Sequence, residues 1–118
     1  MRTRLFFLSL LVLPIGGATA YAHAFLDRAS PLVGSTVATA PREVTLSFTQ
    51  SLEPSFSSVE VTDAKGVRVD QGKAQISGST MRVGLKALSP GTYKVHWRAL
   101  SVDTHTTQGS FSFHVGSQ

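Results

Sequence analysis

Tyr93-Lys94-Val95-His96-Trp97-Arg98-Ala99 alternates apolar and polar side chains without a break. Successive side chains of a strand point to opposite faces, so Tyr93, Val95, Trp97 and Ala99 line a core face while Lys94, His96 and Arg98 face solvent. Pro90-Gly91, just before it, is a turn signal. The alternation returns in Ser110-Phe111-Ser112-Phe113-His114-Val115, with Phe111, Phe113 and Val115 inward. These runs predict an antiparallel hairpin with Trp97 as a core anchor and Ser101 to Gly109 as the connection. Gly109 is read as the bend where the chain re-enters the sheet.

Upstream the pattern is the same in shorter pieces. Ala24 to Arg28 reads as an opening strand, ended by Ser30-Pro31 and Gly34. Glu43-Val44-Thr45-Leu46-Ser47-Phe48 places Val44, Leu46 and Phe48 on a buried face, and Pro41 fits just before it, where its missing N–H costs little. Phe56 to Thr62 follows, turned by Asp63-Ala64-Lys65-Gly66 into Val67-Arg68-Val69, and Ile76 to Leu85 reads as one more strand broken by glycines. No stretch has a helical period. About seven strands at this spacing predict an all-β chain, a single Greek-key β-sandwich of immunoglobulin-like or cupredoxin-like appearance.

The N-terminus reads differently. Met-Arg-Thr-Arg, an apolar run from Leu5 to Ile15 and small residues ending in Ala20-Tyr21-Ala22 have the form of a secretory leader over residues 1–22, with residues 23–118 as one mature domain. Cleavage after Ala20 or Ala24 also satisfies the small-residue rule, but cutting after Ala22 alone makes His23 the first residue. The apolar run is shorter than the roughly 18–20 residues a membrane helix needs, so a soluble, exported mature chain without a membrane span is expected. The mature chain carries 9 basic and 7 acidic side chains, a balance too even for a nucleic-acid partner. The chain has no cysteine, which excludes disulfides and thiolate ligands, and after the leader the only methionine is Met81, too few thioethers for a Cu(I) site.

Once His23 is the first residue, its α-amine and imidazole can close a chelate ring on one metal ion. Far along the chain, Ser101-Val102-Asp103-Thr104-His105-Thr106 holds an Asp-x-His pair. Residues two apart in extended backbone project to the same side, so a carboxylate oxygen and an imidazole nitrogen meet at one point. Alone, such a triplet is equally an Asx-type turn with an exposed histidine. Joined to His23 it gives three nitrogens and one oxygen, a set suited to tetragonal Cu(II). His23, Asp103 and His105 are therefore the candidate ligands of one Cu(II) ion. Mild acid should weaken the site as its nitrogens protonate. Pairing Trp97 with Phe113 would set His96 opposite His114, where facing imidazoles can hold a second, weaker metal. Two solvent-facing strand histidines give the same pattern, and both are left out of the site. Asp27 and Glu53 are read as surface charges.

His23-Ala24-x-Leu26, Ser30-Pro31, Leu46-Ser47-Phe48, Gly91-Thr92-Tyr93-Lys94-Val95-x-Trp97-Arg98 and Ser101-x-Asp103-x-His105-x-x-x-Gly109 together resemble the CopC family of periplasmic copper-binding proteins, over essentially the whole mature chain. The resemblance implies a small β-sandwich that binds Cu(II) through His23, Asp103 and His105. It also implies a periplasmic carrier, not an enzyme, monomeric, that serves copper homeostasis and resistance and hands copper to an inner-membrane transporter or another periplasmic protein. Two departures stand out. The stretch Thr62 to Gly78 has no methionine or histidine, which points to the Cu(II)-only type. Phe48-Thr49-Gln50 stands where relatives often have an acidic residue, leaving Gln50 at most a hydrogen-bonding role near the metal.

Other function classes remain open to these residues. An N-terminal histidine brace also occurs in copper enzymes that oxidise polysaccharides, but these need a broad aromatic or polar face, and here the aromatics fall mostly on inward positions. A metal-free sandwich acting in adhesion or assembly would have the same strand pattern without copper.

Overall fold

The computed structural model describes residues 24–117. Its strands are β1 (Leu26–Ser30), β2 (Thr36–Val37), β3 (Glu43–Phe48), β4 (Ser58–Thr62), β5 (Asp70–Ser77), β6 (Thr80–Leu85), β7 (Gly91–Leu100) and β8 (Thr106–Val115). They form a sandwich of two four-stranded sheets, ordered β1-β3-β6-β5 and β2-β8-β7-β4. The chain changes sheets at each step from β1 to β5 and again between β6 and β7. These crossings close one core between the layers.

The alternation in the sequence becomes that core. Val44, Leu46 and Phe48 of β3 and Met81, Val83 and Leu85 of β6 face Val59 and Val61 of β4, Tyr93, Val95, Trp97 and Ala99 of β7, and Phe111, Phe113 and Val115 of β8, all buried. Phe48 meets Trp97 edge to face at 5.0 Å, and Tyr93 stacks on Phe113 at 5.5 Å. The Tyr93 hydroxyl donates to the Ser89 carbonyl at 2.6 Å, so its polar end is satisfied where the ring leaves the core.

Several sequence expectations are corrected. In the β7–β8 hairpin Tyr93 pairs with Phe113 and Trp97 with Gly109, not Trp97 with Phe113. His96 therefore faces Ser110 and His114 faces Thr92, and the two imidazoles do not meet. The connection is only residues 101–105, because β8 already begins at Thr106. Gly109 is no bend. It lies under the Trp97 indole, where an added Cβ would sit 2.7 Å from Cζ2.

Ile76 to Leu85 is not one broken strand but the end of β5, a tight turn at Gly78 with φ of 60°, and β6. Glycine adopts that φ without a steric penalty. The segment 67–69 adds only a bridge from Arg68 to Thr62 before β5 starts at Asp70. The opening strand begins two residues later than expected, and β2, which pairs in parallel with β8, went unforeseen because two residues carry no periodicity.

One ion pair fastens the far end of the sandwich. Arg68 donates to both carboxylate oxygens of Asp70, at 3.0 and 2.7 Å, and the Val61 N–H donates to the same carboxylate at 2.9 Å. Burial would raise the Asp70 carboxyl, but the Arg68 and Val61 hydrogen bonds outweigh it and hold the group below its ordinary value.

Two stability measurements check this packing. Gly109→Ala should destabilise the fold by about 1–3 kcal/mol, because the new methyl drives the indole off Phe48; urea unfolding reads it. Asp70→Asn should cost about 1–2 kcal/mol at neutral pH. A carboxyl depressed by folding stabilises above its unfolded pKa of about 3.9 and stops doing so as pH falls through the folded value. The gap between wild type and variant should accordingly close in unfolding curves recorded below about pH 4.

Candidate metal centre

At one end of the sandwich the β7–β8 hairpin turns through residues 101–105. Ser101 N–H donates to the His105 carbonyl at 3.0 Å and Thr104 N–H to the Ser101 carbonyl at 2.8 Å, so the turn is closed by its own backbone. It is also tied sideways. Ser101 bridges to Leu52, Val102 N–H donates to the Ser51 carbonyl at 3.1 Å, and Glu53 N–H donates to the Leu100 carbonyl at 2.8 Å.

On this turn the side chains of Asp103 and His105 come together. His105 Nδ1 lies 3.3 Å from Asp103 Oδ1, and the side chains are 37% and 41% exposed respectively, enough for an ion to reach them. Two donors about 2.0–2.2 Å from one first-row ion, 90–110° apart, are about 2.8–3.6 Å from each other, so the observed spacing fits adjacent positions on a single metal. The Ser101 hydroxyl donates to the same oxygen, as does the His105 N–H at 3.4 Å. The Ser101 bond chiefly holds the Asp103 carboxyl below the usual carboxylate range, against a smaller opposing push from burial, and the His105 contacts add to it. The carboxylate is thus kept ionised.

The segment that leads into β1 reaches the same end. Ala24 is fully buried, and its carbonyl accepts from Thr107 Oγ1 at 2.6 Å, two residues beyond His105. Phe25 and Thr49 exchange hydrogen bonds, Phe25 N–H to Thr49 Oγ1 and Thr49 N–H to the Phe25 carbonyl, each at 2.9 Å. His23 and residues 1–22, read from the sequence as a leader, lie outside the described residues. Among the described residues no group of three or more His, Cys, Asp or Glu side chains gathers as a metal site.

The other candidates stand apart from this pair. His96 Nδ1 is 2.9 Å from Ser110 Oγ and His114 Nδ1 is 2.9 Å from Thr92 Oγ1, on the outer face of the hairpin. Gln50 is half-buried in the chain leaving β3. Sequence reading missed Ser101 and Thr107 as parts of the site. Ser101 sits at the spacing of a turn-forming hydroxyl ahead of the aspartate, a signal that was present, whereas nothing local marks Thr107 as the anchor of a residue 83 positions away.

Residues 26–116 match the family described as the CopC domain. The chain is 39% identical over 110 residues to copper resistance protein C of Xanthomonas campestris pv. juglandis, covering 86% of each. It is 33% identical over 119 aligned positions to the copper transport protein CutJ of Bacillus subtilis (strain 168), covering 98% of this chain and 22% of that one. Its structure resembles the crystal structure of CopC from Methylosinus trichosporium OB3b with a TM-score of 0.76 at 32% identity, over 81% of this chain and 96% of that one.

Between the paired side chains, Thr104 adopts φ of 72°, a left-handed conformation that a β-branched residue rarely takes. The turn holds it there by the Thr104 N–H bond to Ser101. Asparagine tolerates this region better, so Thr104→Asn should raise stability by about 1 kcal/mol, read as a higher Tm of the metal-free protein.

Proposed function

Because the chain belongs to the CopC family of copper-binding copper resistance proteins, we propose that it binds one Cu(II) ion through the α-amine and imidazole of His23 together with Asp103 and His105. The observation that carries this reading is the 3.3 Å approach of His105 Nδ1 to Asp103 Oδ1 on an accessible turn. The anchoring of Ala24 on Thr107 supports His23 as the remaining ligand, since the residue next to it in the chain is bonded two positions beyond His105. Processing after Ala22 is part of the proposal, because only then does the nitrogen of residue 23 become an amine.

The donor chemistry favours the oxidised ion. Nitrogen and carboxylate ligands suit Cu(II), while thioethers and thiolates suit Cu(I). The chain has no cysteine, and Met81 is fully buried in the core. Reduction to Cu(I) by an external one-electron donor would loosen the metal and serve as a release step. The protein then acts in the periplasm as a monomeric carrier that sequesters copper or passes it to an inner-membrane transporter or another periplasmic copper protein. No helix among the described residues is long and apolar enough to cross a membrane. Nor does the hairpin offer aromatic rings to a polymer: Tyr93, Trp97, Phe111 and Phe113 all point into the core, which favours a carrier over a polysaccharide-oxidising copper enzyme.

Native intact-mass measurement of the exported protein, with and without one equivalent of Cu(II), tests processing and stoichiometry together. The expected species begins at His23 and gains one copper, and His105→Ala should weaken that binding at least tenfold in a competition titration. A chain beginning at Tyr21 or Phe25, or equal affinity in wild type and His105→Ala, would overturn the ligand set.

A further inference from the structure

Ser101 is fully buried, although the three residues that follow it in the turn are exposed. Its backbone closes the hairpin through its N–H to His105 and its carbonyl to Thr104. An alanine would supply both of those bonds. What only serine supplies is the hydroxyl, which carries a single proton and faces two acceptors, Asp103 Oδ1 and the His105 carbonyl at 3.2 Å. The buried hydroxyl is therefore spent on the loop that carries the metal pair.

We propose that Ser101 is the positioning residue of the metal-binding turn, its hydroxyl holding the Asp103 carboxylate in the orientation that receives the ion. The inference rests on the reading of Asp103 as a ligand. An aspartate at the tip of a turn rotates freely about two side-chain bonds, and each wrong rotamer removes its oxygen from the metal. Here the Ser101 hydroxyl and the His105 N–H both converge on Oδ1, so the carboxylate is fixed from one side. Ser101 is itself held by the Leu52 bridge, which couples the carboxylate to the body of the sandwich. Carboxylate ligands of metals are generally oriented by such outer hydrogen bonds, and removing one costs about 10–100-fold in affinity.

The test measures Cu(II) affinity by competition and the Cu(II) electron paramagnetic resonance spectrum of the processed protein. Wild type, Ser101→Ala, Asp103→Ala and the double variant are compared, with the Tm of each metal-free protein recorded. Ser101→Ala should bind copper about 10–100-fold more weakly with an altered spectrum, and it should add no further loss once Asp103 is alanine. Ser101→Thr, which keeps the hydroxyl, should retain the wild-type spectrum even where its extra methyl lowers the Tm. Unchanged affinity and spectrum in Ser101→Ala, or the same fold-loss with and without Asp103, would overturn the inference, as would loss of the wild-type spectrum in Ser101→Thr. Asp103→Ala binding copper as wild type does would instead overturn the ligand reading beneath it.

Discussion

Trp97 lies across Gly109, and the rest of the structure depends on that contact. Only a residue without a side chain can sit opposite the indole, since a Cβ there would be 2.7 Å from Cζ2. The pairing fixes β7 against β8 residue by residue from Gly91 and Val115 to Leu100 and Thr106. With the register set, the strands run on almost to their ends and leave only residues 101–105 to turn the chain. Phe48 packs edge to face on the same indole and ties the second sheet to this point. The short, rigid turn that brings Asp103 to His105 follows from a packing event nearly a third of the way down β8.

This also explains where the sequence could be read and where it could not. The β3 strand was legible to the residue, because Val44, Leu46 and Phe48 alternate with polar neighbours and Pro41 marks its start. The inward faces of β7 and β8 were legible for the same reason. Their register was not. A slip of one residue would turn every side chain over, but a slip of four leaves each apolar residue facing inward, so alternation cannot tell Trp97 against Phe113 from Trp97 against Gly109. The deciding fact is the bulk of one indole, and it is tertiary. The facing histidines fell with the register: His96 and His114 are outer-face residues bonded to Ser110 and Thr92. The β5–β6 hairpin was concealed because its turn is a single Gly78-Ser79 step inside a run already rich in strand formers.

The candidate site was legible in part because its residues have unusual chemistry rather than unusual spacing. Asp103 and His105 stand out as paired metal donors, and they do meet. The supports around them do not stand out, because serine and threonine are common on turns and strands and become parts of a site only through what they touch. Thr107 anchors the chain at Ala24, 83 positions away in sequence, and the Ser101 hydroxyl reaches Asp103 in the turn. The first relation is not local in sequence and cannot be counted from spacing.

Those supports decide how the site meets protons. A metal ligand must shed its proton before it binds, so a donor group ionised in advance removes one competitor. Asp103 is ionised in advance: the Ser101 hydroxyl and then the His105 contacts keep its carboxyl below the usual range. Imidazoles ordinarily take up a proton near pH ~6.5 and an α-amine near ~7.7, far above any carboxylate. In the proposed copper site, protons would therefore compete with the metal for nitrogen rather than for the Asp103 oxygen. A carboxylate that stays anionic through mild acid keeps attracting a cation after a nitrogen has let go, so acid would loosen the proposed ion by steps. A change in the ion's own charge or preferred ligands acts on every donor at once. For the proposed set of carboxylate oxygen and nitrogen donors, with Met81 sealed in the core, reduction of the ion by an external one-electron donor would be the more complete release.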